Sequence, residues 1–213
     1  MMDVLEHQLP SLRRIDVAFH DNVTSGGSRR GGGVLNQMQL LRALRYRCKH
    51  TDSLKELQLR LDMECCNKND LAAILSNVMS IRTLETLAIR RTSGYECDDE
   101  SDILAFVEGL QFSLPRLKHL ELDSFCINSA DVIDALSRVR RLGSLTLVNI
   151  KMKLDEATLL IKTMGSHLKD LYFVGGDLID GYLYTGSLQT VARDYAPRCR
   201  LHMFYGYSGR YPN

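Results

Sequence analysis

One apolar pattern recurs along the sequence, and it limits the folds open to this chain more than any other feature. In the stretch LPRLKHLELDSFCIN, leucines are spaced three, three and two residues apart, at Leu114, Leu117, Leu120 and Leu122. A spacing of three is typical of helical turns, whereas a spacing of two is typical of a strand with alternate side chains in a core. The change in spacing therefore predicts a turn at the first two leucines and a strand at the last two.

The same spacing of apolar residues, which we call the head of a unit, is found along most of the chain. Residues equivalent to Leu120 are Ile15, Leu57, Leu87, Leu145, Leu171 and Leu201. These anchors follow one another at about 25 to 33 residues, which suits a strand plus a helix per unit. The first interval, from Ile15 to Leu57, is longer and contains a glycine-rich insertion.

Amphipathic segments lie between the heads. Apolar residues at i, i+3, i+4 and i+7 occur at Leu71, Ile74, Leu75 and Val78, which predicts one face of a helix. The spacing returns in segments 103–110, 157–164 and 188–195, and in looser form in 38–44 and 132–139. Polar residues able to cap free N–H groups predict helix starts at Asp70, Ser101, Ser129, Asp155 and Ser187.

A single strand-and-helix unit cannot bury both its strand leucines and its helix stripe, whereas stacked units can. The sequence therefore predicts an α/β solenoid domain over residues 1–213, with a parallel sheet on the concave face and helices on the convex face. We expect a flexible insertion at about 22–33 and a frayed tail at 206–213. The alternative for this aromatic tail is a docking peptide or a cap over the last unit.

The LxxLxxLxL heads followed by amphipathic helices resemble leucine-rich repeats over roughly Leu9 to Phe204. The pattern is most similar to ribonuclease-inhibitor-like arrays and to the degenerate arrays of fungal F-box-associated proteins, here without an F-box. Most units lack the usual asparagine after the strand, and Asn149 is one offset example. The resemblance implies a non-enzymatic protein-interaction scaffold, as the substrate-recognition part of a ubiquitin-ligase adaptor. The alternative is an in-trans regulator of an enzyme, such as a GTPase-activating or inhibitory array.

Residues that alternate with the strand leucines should point away from the core, toward the concave side. We predict a partner-binding face that contains Arg60, Arg90, His119, Glu121, Asp123, Thr146, Asp170, Tyr172, Arg200, His202 and Phe204. Along the array this face changes from a basic edge at Arg60 and Arg90 to an acidic middle at 119–123. It ends in aromatic side chains, which are frequent binding hot spots, so we expect a protein ligand near Tyr172 and Phe204. The alternative is a solvated sheet face with the partner bound elsewhere.

Charge and composition exclude several classes of function. Charged residues make up 25% of the chain and the formal net charge is +1, so no global field favours nucleic acid or an anionic membrane. No apolar run reaches the roughly 18 residues that a membrane span needs, and the first residues have no signal-peptide core. We therefore expect a cytoplasmic or nuclear protein whose six cysteines are reduced thiols.

No segment carries the signature of a catalytic, metal or cofactor site. Glycine-rich 25–33 could hold an anion but lacks the GK[ST] of a P-loop, and we interpret it as flexible. Acidic 96–102 lacks the glycine and closing glutamate of an EF-hand, which favours a solvated loop. The six histidines show no paired ligand spacing. We therefore expect no enzymatic activity and no cofactor.

The N-terminal end of the array needs a cover. Terminal repeats require polar caps, and the eight residues before Leu9 are too few for a capping helix. We expect an upstream segment, a partner or an edge-to-edge dimer to cover this end.

Overall fold

The computed structural model describes residues 13–18, 53–62, 68–92, 101–127, 129–150, 152–175 and 185–204. Several sequence predictions fall outside these residues. They are the glycine-rich insertion, the helix over 38–44, most of the acidic loop at 96–102, the tail at 206–213 and the cover over the N-terminal end.

Strands and helices alternate along the described residues. The strands are β1 (Arg14–Ala18), β2 (Glu56–Asp62), β3 (Thr86–Thr92), β4 (His119–Asp123), β5 (Ser144–Val148), β6 (Asp170–Val174) and β7 (Arg200–Phe204). The helices are α1 (Lys68–Met79), α2 (Ser101–Ser113), α3 (Ala130–Ser137), α4 (Leu154–Met164) and α5 (Thr185–Tyr195). None of these helices is long and apolar enough to cross a membrane.

The strands form one parallel sheet in which spatial order follows sequence order, β1 to β7. The predicted anchors lie side by side in a single row, Ile15, Leu57, Leu87, Leu120, Leu145, Leu171 and Leu201. Because every unit adds a strand beside the previous one, the chain advances in one direction. The predicted α/β leucine-rich-repeat solenoid is confirmed.

The core depends on stacking between units. Leu57, Leu87, Leu120 and Leu145 are at most 1% exposed, and they pack in one cluster with the inward residues of the helices. At the two ends of the sheet the equivalent Ile15 and Leu201 are only half-buried. Full burial of a leucine stabilises a fold by roughly 1.5–3 kcal/mol, so each neighbouring unit contributes strongly to the stability of the next.

Helix starts agree with the sequence prediction in part. Ser129 caps α3, since its hydroxyl accepts a hydrogen bond from the Val132 N–H at 3.3 Å. The prediction of Asp155 as the cap of α4 is wrong, because Lys153 occupies that position and its N–H donates to the Glu156 carboxylate at 2.6 Å. The predictions of Asp70, Ser101 and Ser187 as caps are wrong as well, because all three lie within helices: α1 begins at residue 68, α2 at residue 101 and α5 at residue 185.

Helices α4 and α5 approach closely at Gly165, the residue that follows α4. A Cβ atom added there would lie 2.1 Å from the Cβ of Ala196 and 2.6 Å from the carbonyl oxygen of Ile161. Gly165 has a φ of −61°, which any residue can adopt. Close packing against the next unit, and not backbone conformation, therefore requires glycine at this position.

We expect Gly165→Ala to lower the free energy of unfolding by about 1–3 kcal/mol, because the added methyl group overpacks the α4–α5 contact. Gly186→Ala is the matched control, since a Cβ there meets no atom within 4 Å. Urea denaturation of both variants gives the comparison. Equal stability of the two would show that the units are not packed this tightly.

His167 lies in the turn between α4 and β6, and neither of its ring nitrogens has a hydrogen-bond partner in the described part of the chain. Burial lowers the pKa of His167, and the nearby charge of Arg140 lowers it further. The folded protein therefore holds a neutral imidazole at a pH where the unfolded chain is already protonated. Stability contributed by this site is complete above about pH 6.5 and decreases as the pH falls below it.

His167→Phe should reduce the loss of stability between pH 7.5 and pH 5.5, because the unfolded chain no longer gains a proton at this position. The loss is measured by urea denaturation at both pH values. The same pH dependence in wild type and His167→Phe would contradict the assignment.

Candidate functional site

Alternate residues of the strands form the open face of the sheet, the surface opposite the helices. Strand register aligns them in three rows. The first row is Arg14, Glu56, Thr86, His119, Ser144, Asp170 and Arg200; the second is Asp16, Gln58, Ala88, Glu121, Thr146, Tyr172 and His202; the third is Ala18, Arg60, Arg90, Asp123, Val148, Val174 and Phe204. All the residues predicted to bind a partner lie in these rows.

Charges on the open face pair across neighbouring strands. The Arg90 Nε donates to the Glu121 carboxylate at 2.6 Å, and this pair joins β3 to β4. Between β1 and β2, Arg60 lies 3.9 Å from the Asp16 carboxylate. The predicted basic edge and acidic middle are therefore not separate zones, because register places residues of opposite charge next to each other.

The structure places Asp123 in a recess of the open face, where it is 8% exposed. Its carboxylate accepts hydrogen bonds from the Ser124 hydroxyl at 2.9 Å and from the Asn149 side-chain amide at 3.0 Å. A buried carboxylate requires such partners, since an unpaired one would lose its hydration without compensation. These contacts give Asp123 a structural role at the ends of β4 and β5.

Ser124 and Asn149 belong to a repeated turn that includes Gly175. All three residues have a left-handed backbone, with φ values of 62°, 50° and 60°. Each N–H donates at 2.9 Å to the carbonyl of the last residue of the next strand, at residues 148, 174 and 204. We call this row the left-handed ladder. It extends the sheet by one hydrogen bond per unit and holds the strand ends in register.

Asn149→Ala should lower the free energy of unfolding by about 1–3 kcal/mol, because it removes the bond to Asp123 and places an alanine at positive φ. Asn149→Gly removes the same bond but tolerates the backbone conformation, so its loss should be smaller. Chemical denaturation of the two variants gives their free energies of unfolding. The comparison separates the contribution of the side-chain hydrogen bond from that of the backbone conformation. A larger loss for glycine than for alanine would contradict the role of the turn.

At the C-terminal end of the open face, polar contacts hold an aromatic group. The Asp170 carboxylate accepts two bonds from Arg200, from Nε at 2.7 Å and from Nη2 at 2.9 Å, and its Oδ1 lies 3.2 Å from Nε2 of His202. The bonds from Arg200, and secondarily the contact with His202, lower the pKa of Asp170. Paired in this way, the carboxylate stays ionised and fixes both neighbouring side chains.

Tyr172 stacks on His202 with ring centroids 4.3 Å apart and an interplanar angle of 8°. Phe204, two residues further along β7, is 48% exposed. We call Tyr172, His202 and Phe204 the aromatic cluster. It combines exposed aromatic surface with a stacked pair that is already ordered before any ligand binds.

The arrangement on the open face offers contact surface. His119 and His202 lie on β4 and β7, separated by roughly 14 Å at the usual strand spacing, so they cannot share a proton. Within the described ranges, no group of three or more histidine, cysteine or acidic residues is placed to hold a metal ion.

Sequence reasoning missed the left-handed ladder, although a signal for it exists. Ser124, Asn149 and Gly175 each lie four residues after a strand anchor, and serine, asparagine and glycine are common in turns. Reading the anchors together with this offset would have predicted the ladder. It would also have shown that Asn149 holds a regular turn position.

No family model matches the sequence, and no curated protein matches it. Among solved structures, the chain is similar to the crystal structure of an internalin from Listeria monocytogenes, with 11% sequence identity and a TM-score of 0.27. The match covers 77% of this chain and spans 57% of the internalin chain. At this level the likeness assigns neither family nor function, and the statement of the fold rests on strand order and register.

Proposed function

We propose that the chain is a non-enzymatic protein-interaction scaffold that binds a protein ligand at the C-terminal end of its open face. The observation that carries this proposal is the aromatic cluster, in which Tyr172 and His202 are stacked and Phe204 is exposed. Aromatic and arginine side chains dominate the energy of many interfaces. Because Asp170 holds Arg200 and His202 in place, less conformational entropy is lost on binding.

The rest of the open face would contribute to ligand binding through its shape more than through its net charge. Arg60, Arg90 and Glu121 are already engaged across strands, so a ligand gains little from long-range attraction there. Thr146 lies on β5, beside the cluster, and His119 lies one strand further, on β4; both would complete the contact area. Asp123 is too deeply placed to form part of the contact.

The resemblance to ribonuclease-inhibitor-like and fungal F-box-associated arrays supports a specific form of this role. In that form the chain is a single repeat domain acting in the cytoplasm or nucleus, as the substrate-recognition part of a ubiquitin-ligase adaptor. Regulation of an enzyme in trans is less well supported, because Arg200, the arginine beside the aromatic cluster, is bound to Asp170 and not free to act on a partner's active site.

The test compares two sets of exposed aromatic residues. Tagged wild type, the double variant Tyr172→Ala/Phe204→Ala and the control Phe112→Ala are used to recover partners from a lysate of the source cells, with quantitative mass spectrometry as the readout. Phe112 is 76% exposed and lies on α2, on the helix side. We expect at least a tenfold loss of the partner for the double variant alone, as for two hot-spot residues.

Circular dichroism checks that all three proteins are folded to the same extent. Equal recovery of partners by wild type and the double variant would overturn the proposal. Loss with Phe112→Ala alone would place the binding surface on the helices.

A further inference from the structure

The C-terminal flank of the solenoid has an apolar surface that no described residue covers. At internal units this side is closed by the following unit; Leu171, for example, is 1% exposed between β5 and β7. On β7 the equivalent Leu201 is only half-buried, since β7 is the edge of the sheet in the described residues. The flank therefore keeps the apolar character of an internal contact.

Between α5 and β7 this surface forms an open pocket of about 280 Å³. Its apolar wall includes Ala192, Ala196 and Leu201, and Cys199 lies beside them. Burial, and secondarily the negative charge of Asp170, raises the pKa of Cys199 to about 11, so the thiol at the wall of the pocket is protonated and uncharged. A pocket of this size and lining accepts one or two apolar side chains.

One cation lies at the rim of the pocket and a second lies in the turn next to it. Arg193 on α5 lines the pocket and Arg198 lies in the turn that leads to β7, and both side chains are exposed. Neither has an ion pair with a carboxylate in the described residues, and the Asp170 carboxylate is already used by Arg200. Exposed Asp194 follows Arg193 on α5 but is not among the residues that line the pocket, so the charged side chain at the pocket itself is the cation Arg193.

We infer that the C-terminal flank is a docking site for an acidic peptide segment of a partner protein that carries an apolar anchor residue. The anchor side chain would enter the pocket, and carboxylates on either side of it would approach Arg193 and Arg198. Charge favours this occupant over a second copy of the chain, because two-fold association would bring two basic rims together. The site is separate from the open face and does not depend on the function proposed there.

Three fluorescein-labelled hexapeptides test the inference by fluorescence anisotropy with the full chain. They are DELFED, its basic counterpart KKLFKK, and DEAAED, which lacks the apolar anchor. We expect DELFED to bind at least tenfold more tightly than either of the others, and to weaken as NaCl is raised from 50 to 500 mM because exposed ion pairs are screened. Equal binding of the three peptides, or no binding of DELFED at 1 mM, would overturn the inference.

Variants locate the site. Arg193→Glu/Arg198→Glu should weaken DELFED at least tenfold, and Gln189→Trp, on the pocket rim, should weaken it by occlusion. Arg82→Glu/Arg140→Glu makes the same change of charge at exposed residues of other units and should have no effect. Tyr172→Ala/Phe204→Ala should also bind DELFED normally, which separates this site from the open face. Unchanged binding by the Arg193/Arg198 variant would overturn the assignment.

Other occupants of the flank give distinct results. Sedimentation velocity of the full chain would reveal a dimer that Gln189→Trp abolishes, and that result would assign the flank to a second copy. If DELFED binds only after Tyr205, Tyr207 and Tyr211 are changed to serine, the chain's own C-terminal residues occupy the pocket. Either result would overturn the inference.

Discussion

The structure depends on the burial of each unit's strand leucines between the units on either side. Leu87, Leu120 and Leu145 are fully buried in the middle of the sheet, whereas Ile15 and Leu201 at its ends are only half-buried. Their exposure differs because the central residues have a strand on both sides and the end residues have one on a single side, whereas the residue types are alike. Stability in such an array is close to a sum of contacts between adjacent units, so the terminal units are the least protected.

Regular stacking also determines what can meet on the surface. Residues about one repeat apart become neighbours, as in the ion pair between Arg90 and Glu121 or the stack of Tyr172 on His202. The left-handed ladder maintains this register at the strand ends, and Asp123 connects two of its members through Ser124 and Asn149. The positions of the open-face side chains relative to one another are therefore set by backbone contacts that repeat along the sheet.

Two surfaces of different chemistry lie at the C-terminal end of the described array. The open face has balanced charge and an ordered aromatic cluster, which suits recognition by shape. The flank has an apolar pocket with Arg193 at its edge, the place where we propose that an acidic segment docks.

The sequence by itself determined the repeat, the strand anchors and the helical stripes, because burial imposes a period of two on strands and 3.6 on helices. Every predicted anchor lies in one row, and the direction of alternate side chains followed from it. The start of α4 was not predictable in this way, since backbone and carboxylate groups of Lys153 and Glu156 replaced the expected cap. Only the tertiary structure decided which charges are paired, that Asp123 is buried and that no described residue covers the flank beside Leu201. These properties depend on the distance between residues a whole repeat apart, and local periodicity contains no information about that distance.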